Sequence, residues 1–366
     1  MFRNTFLNVD LDKLQNNAKF FINRSGKKLI AVVKANGYGI IDYCEALALE
    51  EIGVNFFAVS SLDEAMNLRN NGVTSEILVL GFTPNDALDL IKEKDISIVT
   101  LSEEYVDAID DFKGVKIHLK VNTGMNRIGI RPEDCQRVLE KVIKRNGNIE
   151  GIMSHFSSAD EDLEYSLEQF NLFKQTVKSL DYDFKYIHMG ATDATLKIED
   201  DISTHCRIGL GLLGFSVYPC DIKPCVSLTS EVVMCKQVPK GEKVSYNRHY
   251  TSTGEGYILT IPFGYSDGFR KANVNKQVYV DDEYGTIIGN ICMDMMMIHT
   301  DNYHPCKTTV ELLGEHIDIN KRAQELNMIN YELLVNLNER ITRRYFKNGK
   351  LIKQVDQRFN NSIDFQ

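Results

Sequence analysis

The chain has 366 residues, 43% of them hydrophobic and 25% charged, with a formal net charge of −9. That length exceeds the roughly 250–300 residues at which a single core stops growing, so two domains are the default. The acidic balance argues against nucleic acid or an anionic membrane surface as the main partner, because both are bound through basic patches, and no apolar stretch approaches the ~18 residues of a membrane span.

The opening, "MFRNTFLNVDLDKL", carries acidic residues by position 10 and lacks the apolar core of a signal peptide, which predicts a cytoplasmic protein. Eight short apolar runs then follow: "LIAVV" 29–33, "NFFAVS" 55–60, "EILVLG" 76–81, "ISIVTL" 96–101, "VKIHLKV" 115–121, "IEGIMSHF" 149–156, "YIHMGA" 186–191 and "CRIGL" 206–210. Between them lie helix-like segments, among them 42–53, 61–72 with a Ser cap and a trailing Gly, and 102–112. Eight alternations of strand and helix predict a (β/α)8 TIM barrel over residues 1–223. From 224 to 366 strand-like runs broken by turn residues predict a mainly β C-terminal domain, with one helix over 319–341. "RITRR" at 340–344 reads as a solvated basic face. The eight cysteines are scattered, with no Cys-x-x-Cys pair and no zinc spacing, and predict reduced thiols and no metal site.

The barrel gives one lysine a position. Lys34 closes the first apolar run, just before a turn containing Gly37 and Gly39. A lone lysine at a strand end usually runs its stem along apolar surface and keeps its head in water. Active sites of such barrels, however, lie at the C-terminal ends of the strands, and polar residues collect there on other strands too. They are Lys120 and Asn122 on the fifth, His155 on the sixth, Thr192 after the seventh, and Arg207 with Gly209 on the eighth. Thr192 and the "RIGLG" backbone occupy the loops after strands seven and eight, where such barrels bind phosphate. A lysine, a phosphate cradle and no nucleotide fingerprint point to pyridoxal phosphate held as a Schiff base.

Seven collinear segments resemble the alanine racemase family: "AVVKANGYG" 31–39, "HLKVNTGMNRIG" 118–129, "MSHFSSADE" 153–161, "CRIGLGLLG" 206–214, "VSYNRHY" 244–250, "IPFGYSDG" 261–268 and "NICMDMMM" 290–297. Taken singly, His155 would read as a core histidine, Tyr265 as a packed aromatic and the methionines as a strand; the collinear order reverses the first two. The resemblance implies interconversion of L- and D-alanine for peptidoglycan precursors by two bases acting on a pyridoxal phosphate aldimine. Lys34 would be the aldimine lysine and one base, and Tyr265 the base on the opposite face, assisted by His155 and Arg207. Arg207 would face the pyridine nitrogen, and Arg127 the phenol oxygen and the substrate carboxylate. Lys120 resembles a lysine carbamylated in many members. Tyr38, Thr192, Gly209 and Leu210 would contact the phosphate, and the Met293 backbone N–H the carboxylate. The family also implies a head-to-tail homodimer in which each site takes Lys34 from one chain and Tyr265 from the other.

The chain departs from the family pattern at several places. Asn122 and Asn126 stand where many members have Asp and Gly, Ala191 and Thr192 replace a common Asn-Ser pair, and Glu339 aligns with a tyrosine over the substrate channel. These leave open a racemase of serine or another amino acid. A pyridoxal phosphate decarboxylase would place a carboxylate against the pyridine nitrogen, where Arg207 stands. A non-enzymatic cofactor carrier of the single-barrel type would lack the residues after the barrel.

Overall fold

After an N-terminal strand, β1 (Thr5–Asp10), each of the eight apolar runs becomes a strand of one closed parallel barrel in a computed structural model that describes residues 3–359 and 361–365. In chain order these are β2 (Lys28–Val32), β3 (Phe56–Val59), β4 (Glu76–Val79), β5 (Ile96–Val99), β6 (Lys116–Lys120), β7 (Asn148–Met153), β8 (Tyr186–His188) and β9 (His205–Ile208). Pairing of β9 with β2 closes the ring, with Ile30 opposite Arg207 and Ala31 opposite Ile208. Strands such as β3 and β5 are buried throughout, which explains why they read as unbroken apolar runs rather than alternating ones.

Two of the intervening helices, Leu62–Asn70 and Glu103–Asp107, begin where a serine side chain satisfies one of the first free amides. Ser61 accepts from the Glu64 N–H and Ser102 from the Tyr105 N–H. The second of these helices ends early, covering only Glu103–Asp107 of the expected stretch. Inside the barrel, Ile30, Val32, Phe56, Ala58, Leu78, Val99, Met153 and Tyr186 form a buried cluster.

The chain divides into two units, Lys13–Lys223 and a second made of Met1–Asp12 with Pro224–Gln366. Residues 1–12, assigned to the barrel from sequence, are thus a correction: β1 is a strand of the second unit's sheet. Its apolar residues pair antiparallel with β10 (Val226–Glu231), Leu7 opposite Leu228, and parallel with β19 (Thr342–Lys347), Leu7 opposite Arg343.

The second unit carries an 11-stranded sheet. Besides β1, β10 and β19 it contains β11 (Met234–Lys236), β14 (Tyr257–Ile261), β15 (Gln277–Val280), β16 (Glu283–Ile288), β17 (Met296–Thr300), β18 (Thr309–Leu313), β20 (Lys350–Asp356) and β21 (Asn361–Asp364). A separate pair joins β12 (Lys243–Val244) to β13 (Tyr250–Thr251). The helix expected over 319–341 is two short ones, Ile319–Glu325 and Asn330–Val335, broken near Asn327, whose φ of 52° is left-handed. "RITRR" is not a solvated face either. Its last residues open β19, and Arg343 is fully buried, donating to the carbonyls of Asn338, Ile341 and Leu337.

Candidate active site

Lys34 leaves β2 on a turn of unusual hand. Ala35, Asn36, Gly37 and Tyr38 have φ of 52°, 58°, 61° and 52°, a left-handed turn in which each non-glycine residue is strained by about 1–2 kcal/mol. Several bonds hold it. The Gly37 N–H donates to Val33 O at 2.9 Å, and the Glu64 carboxylate accepts from the Ala35 N–H at 2.8 Å and the Ser60 N–H at 2.7 Å, tying the turn to the end of β3. On the other side, a Cβ at Gly37 would stand 2.9 Å from Glu45 Oε2. The Glu45 carboxyl is fully buried, its oxygens have no hydrogen-bond partner among the described residues, and burial first, then Asp42, drives its pKa well above the usual carboxylate value. Burial lowers the pKa of Lys34 itself, with Arg127 adding to this and Glu64 opposing it.

Arg207 reaches into the barrel from β9. One terminal nitrogen donates to His188 Nδ1 and His188 O, both at 2.8 Å. The other donates to Ser154 O at 2.7 Å, Met189 O at 3.0 Å and His155 Nδ1 at 3.2 Å. Burial lowers its pKa to about 10, which leaves it cationic at neutral pH.

A guanidinium only donates, so these bonds fix the imidazoles. His188 Nδ1 and His155 Nδ1 must accept, and both rings carry their proton on Nε2. His188 Nε2–H then meets His118 Nδ1 at 2.8 Å, so His118 is also protonated on Nε2. That last N–H has no hydrogen-bond partner among the described residues. Burial is the leading cause that depresses all three pKa values, His118 to about 3. His118 also stacks on Tyr186, with ring centroids 5.4 Å apart, and Gly151 leaves room for it, since a Cβ there would lie 2.5 Å from Nδ1.

Lys120 is buried beside these groups. Burial first, then Arg207 and Arg127, push its pKa well below the lysine range. The depressed pKa favours the uncharged amine, the form that reacts with CO2. Asn122 organises the following loop, its Oδ1 accepting from the amides of Gly124 and Asn126, whereas Arg127 is exposed.

The phosphate candidates also come together. A Cβ on Gly209 would stand 2.3 Å from the Tyr38 hydroxyl, and Thr192 Oγ1 accepts from the Gly211 N–H at 3.1 Å. Leu210 opens the short helix that follows. Ala191 accepts from both the backbone and hydroxyl of Thr195. A lysine on a rigid turn, a glycine backbone cradle against Tyr38, and a group of cations fit pyridoxal phosphate, whose amine-reactive aldehyde and dianionic phosphate need those features.

In the second unit, Tyr265 begins the turn Tyr265–Asp267 and is 38% exposed, and Met293 is 53% exposed. Their turns touch, the Tyr265 N–H donating to Cys292 O at 3.1 Å. Glu339 stands exposed in a nearby turn of the sequence.

Sequence models of the alanine racemase N-terminal and C-terminal domains match residues 9–217 and 225–345. The chain belongs to the alanine racemase family. It is 32% identical over 371 residues to alanine racemase 1 of Bacillus subtilis, covering 96% of this chain and 95% of that one. Its fold is similar to that of the crystal structure of alanine racemase from Bacillus anthracis with bound L-Ala-P, with a TM-score of 0.92, 32% identity and coverage of 99% and 100% of the two chains. It is also similar to a histidine racemase from Leuconostoc mesenteroides, with a TM-score of 0.87, 26% identity and coverage of 94% and 99%. For this alanine racemase family member, sequence reasoning missed Glu64, His118 and His188. The signal was present for the histidines: in "HLK", "YIH" and "HCR" a polar ring or cation recurs at alternate positions, the period that faces a barrel interior.

No helix among the described residues is long and apolar enough to cross a membrane.

Proposed function

We propose that the protein is a cytoplasmic alanine racemase that uses pyridoxal phosphate and supplies D-alanine for peptidoglycan. The observation that carries this is Arg207, a buried guanidinium whose hydrogen-bond partners among the described residues are carbonyls and imidazoles, with no carboxylate among them. Facing a pyridine nitrogen, it donates a hydrogen bond and gives up no proton, a setting suited to brief removal of the α-proton. When bound, the cofactor supplies the electron sink that acidifies the α-C–H bond.

The chain's own residues do the rest. Lys34, its pKa lowered by burial, holds the cofactor and moves the α-proton on one face. Tyr265 acts on the other. His155, fixed by Arg207 with its proton on Nε2, donates that N–H toward the tyrosine oxygen. Arg127 binds the substrate carboxylate with the Met293 N–H, and Lys120, as a carbamate, holds Arg127. Tyr38, Thr192, Gly209 and Leu210 hold the phosphate. Lys34 and Tyr265 lie in different units, and family membership implies a homodimer in which each site takes Lys34 from one chain and Tyr265 from the other.

A second reading, racemisation of a larger or cationic amino acid, is favoured by the exposed Glu339 carboxylate and by the likeness to a histidine racemase. The test incubates purified holoenzyme with each L-amino acid in deuterated water. Deuterium at the α-carbon with the D-enantiomer formed supports racemisation and identifies the substrate. Loss of CO2 instead, or a visible cofactor absorbance that survives in Lys34→Ala, overturns the assignment.

A further inference from the structure

Tyr265 and Met293 sit on two turns of the second unit that are bound to each other along their backbones. Besides the Tyr265 amide bond, the Ser266 N–H and hydroxyl both donate to Met293 O, at 3.1 and 2.7 Å. The turns approach so closely that a Cβ on Gly264 would stand 2.3 Å from Cys292 O and 2.4 Å from Met293 O. Beneath them lies a charged cluster. Asp267 is fully buried, accepts from the Gly264 N–H at 2.9 Å, and receives both terminal nitrogens of Arg3.

Arg340 spans the two turns. Its Nε lies 3.5 Å from Asp267 Oδ1, one terminal nitrogen donates to Ser266 Oγ, and the other donates to Asp294 Oδ1 at 2.8 Å. Arg3 already neutralises Asp267, so the donors that Arg340 sends to Ser266 and Asp294 serve to join the Tyr265 turn to the Met293 turn. The planar fork of a guanidinium fixes three acceptors in one geometry, which the single point charge of a lysine does not.

We propose that Arg340 is a positioning residue of the racemisation, setting the Tyr265 hydroxyl in register with the Met293 amide. The inference rests on the roles proposed above for those two groups. An amino acid held by its carboxylate at Met293 presents the adjacent α-carbon to Tyr265 only if the two turns keep their spacing, and misplacement by about 1 Å can slow such a step about 100-fold.

The test uses full-length holoenzyme with Arg340→Ala, Arg340→Lys and the milder Asp294→Ala, whose position is half-exposed. The two enantiomers are equal in free energy, so kcat/KM must fall equally in both directions, and a fall of about 10–100-fold is expected in Arg340→Ala. The discriminating readout is α-proton exchange in deuterated water. With the Lys34 face intact, one enantiomer alone should exchange with retention at least about 10-fold faster, relative to its inversion, than in the unmodified enzyme. Methylguanidinium should restore part of the Arg340→Ala rate, and the Tyr265 and Ser266 amides should lose hydrogen-exchange protection while those of β14 and β17 keep it. A folded Arg340→Ala or Asp294→Ala protein with unchanged kcat/KM, or with lowered kcat/KM but unchanged exchange-to-inversion ratios for both enantiomers, would overturn the assignment. If the unmodified enzyme exchanges the α-proton of no amino acid, the racemase reading itself falls, and this one with it.

Discussion

Replacing His118 with phenylalanine should flatten the acid side of the stability profile. In the folded barrel the pKa of His118 is depressed from 6.5 to about 3, so between those values the unfolded chain binds a proton that the folded chain refuses. Stability is therefore complete above the unfolded pKa and is lost as pH falls toward the folded one. From about pH 7.5 to about pH 5 the loss from this one group is about 2 kcal/mol, the integral of nearly one proton over the lower part of that range. His118→Phe keeps the ring stacked on Tyr186 but removes the titration. It also leaves the His188 N–H without its acceptor, which costs about 1–3 kcal/mol at every pH and so does not alter the slope. The assay is urea unfolding by circular dichroism at both pH values, comparing the drop in the variant with that in the unmodified protein. An equal drop in both would mean that His118 is not held neutral in the barrel, and the chain of imidazole protons fixed by Arg207 would fail with it.

Gly209→Ala should weaken cofactor binding about 10-fold or more with the fold retained, because the new methyl collides with the Tyr38 hydroxyl; equilibrium dialysis of pyridoxal phosphate with circular dichroism checks both. Glu64→Ala should destabilise the cofactor-free protein by about 2 kcal/mol, since it frees the Ala35 and Ser60 amides, and a thermal shift measures it. Bicarbonate labelled with 13C should give a carbamate resonance that is absent from Lys120→Ala, which tests whether the buried amine, its pKa lowered by burial, reacts with CO2. Co-expressed Lys34→Ala and Tyr265→Phe chains, isolated as a mixed dimer, should recover about half of the normal activity if sites are shared, because one site then carries both lesions and the other neither. A mixed dimer that pairs normally yet stays as inactive as its parents would sink the shared-site arrangement.

The barrel was legible because its strands are mostly buried, β3 and β5 throughout, which writes them as short apolar-rich runs between helix-like segments. Lys34, Lys120, His155, Thr192, Arg207 and Gly209 could be picked out as site candidates because strand ends of such a barrel converge on one mouth, whereas Tyr38 was a candidate only through the family resemblance. The left-handed path of Ala35 to Tyr38 was not, since Ala35 and Tyr38 disfavour that region and the bond that ties Ala35 there comes from Glu64, distant in sequence. Arg340 escaped notice within a basic run, because exposure to water and a grip on Asp267 and Asp294 use the same residue type. The missed strand β19 shows the same difficulty: "TRRYFK" reads as charged, and only pairing with β1 and β20 buries Arg343.

The position of β1 bears on how the chain can be made. In topological terms the barrel is an insertion between β1 and its antiparallel neighbour β10, so β1 leaves the ribosome before the barrel yet belongs to a unit completed after it. Synthesis of Lys13–Lys223 at about 5–20 residues per second keeps β1 without its partners for ~10–40 s, and β19 arrives later still. Throughout that interval an apolar strand with two unsatisfied edges waits beside a barrel that can already fold, an exposure that favours chaperone binding or pairing between neighbouring nascent chains. Grafting β1 onto the C-terminus, or preceding β10 with it in a barrel-free chain, would remove the delay while leaving every pairing of the sheet in place.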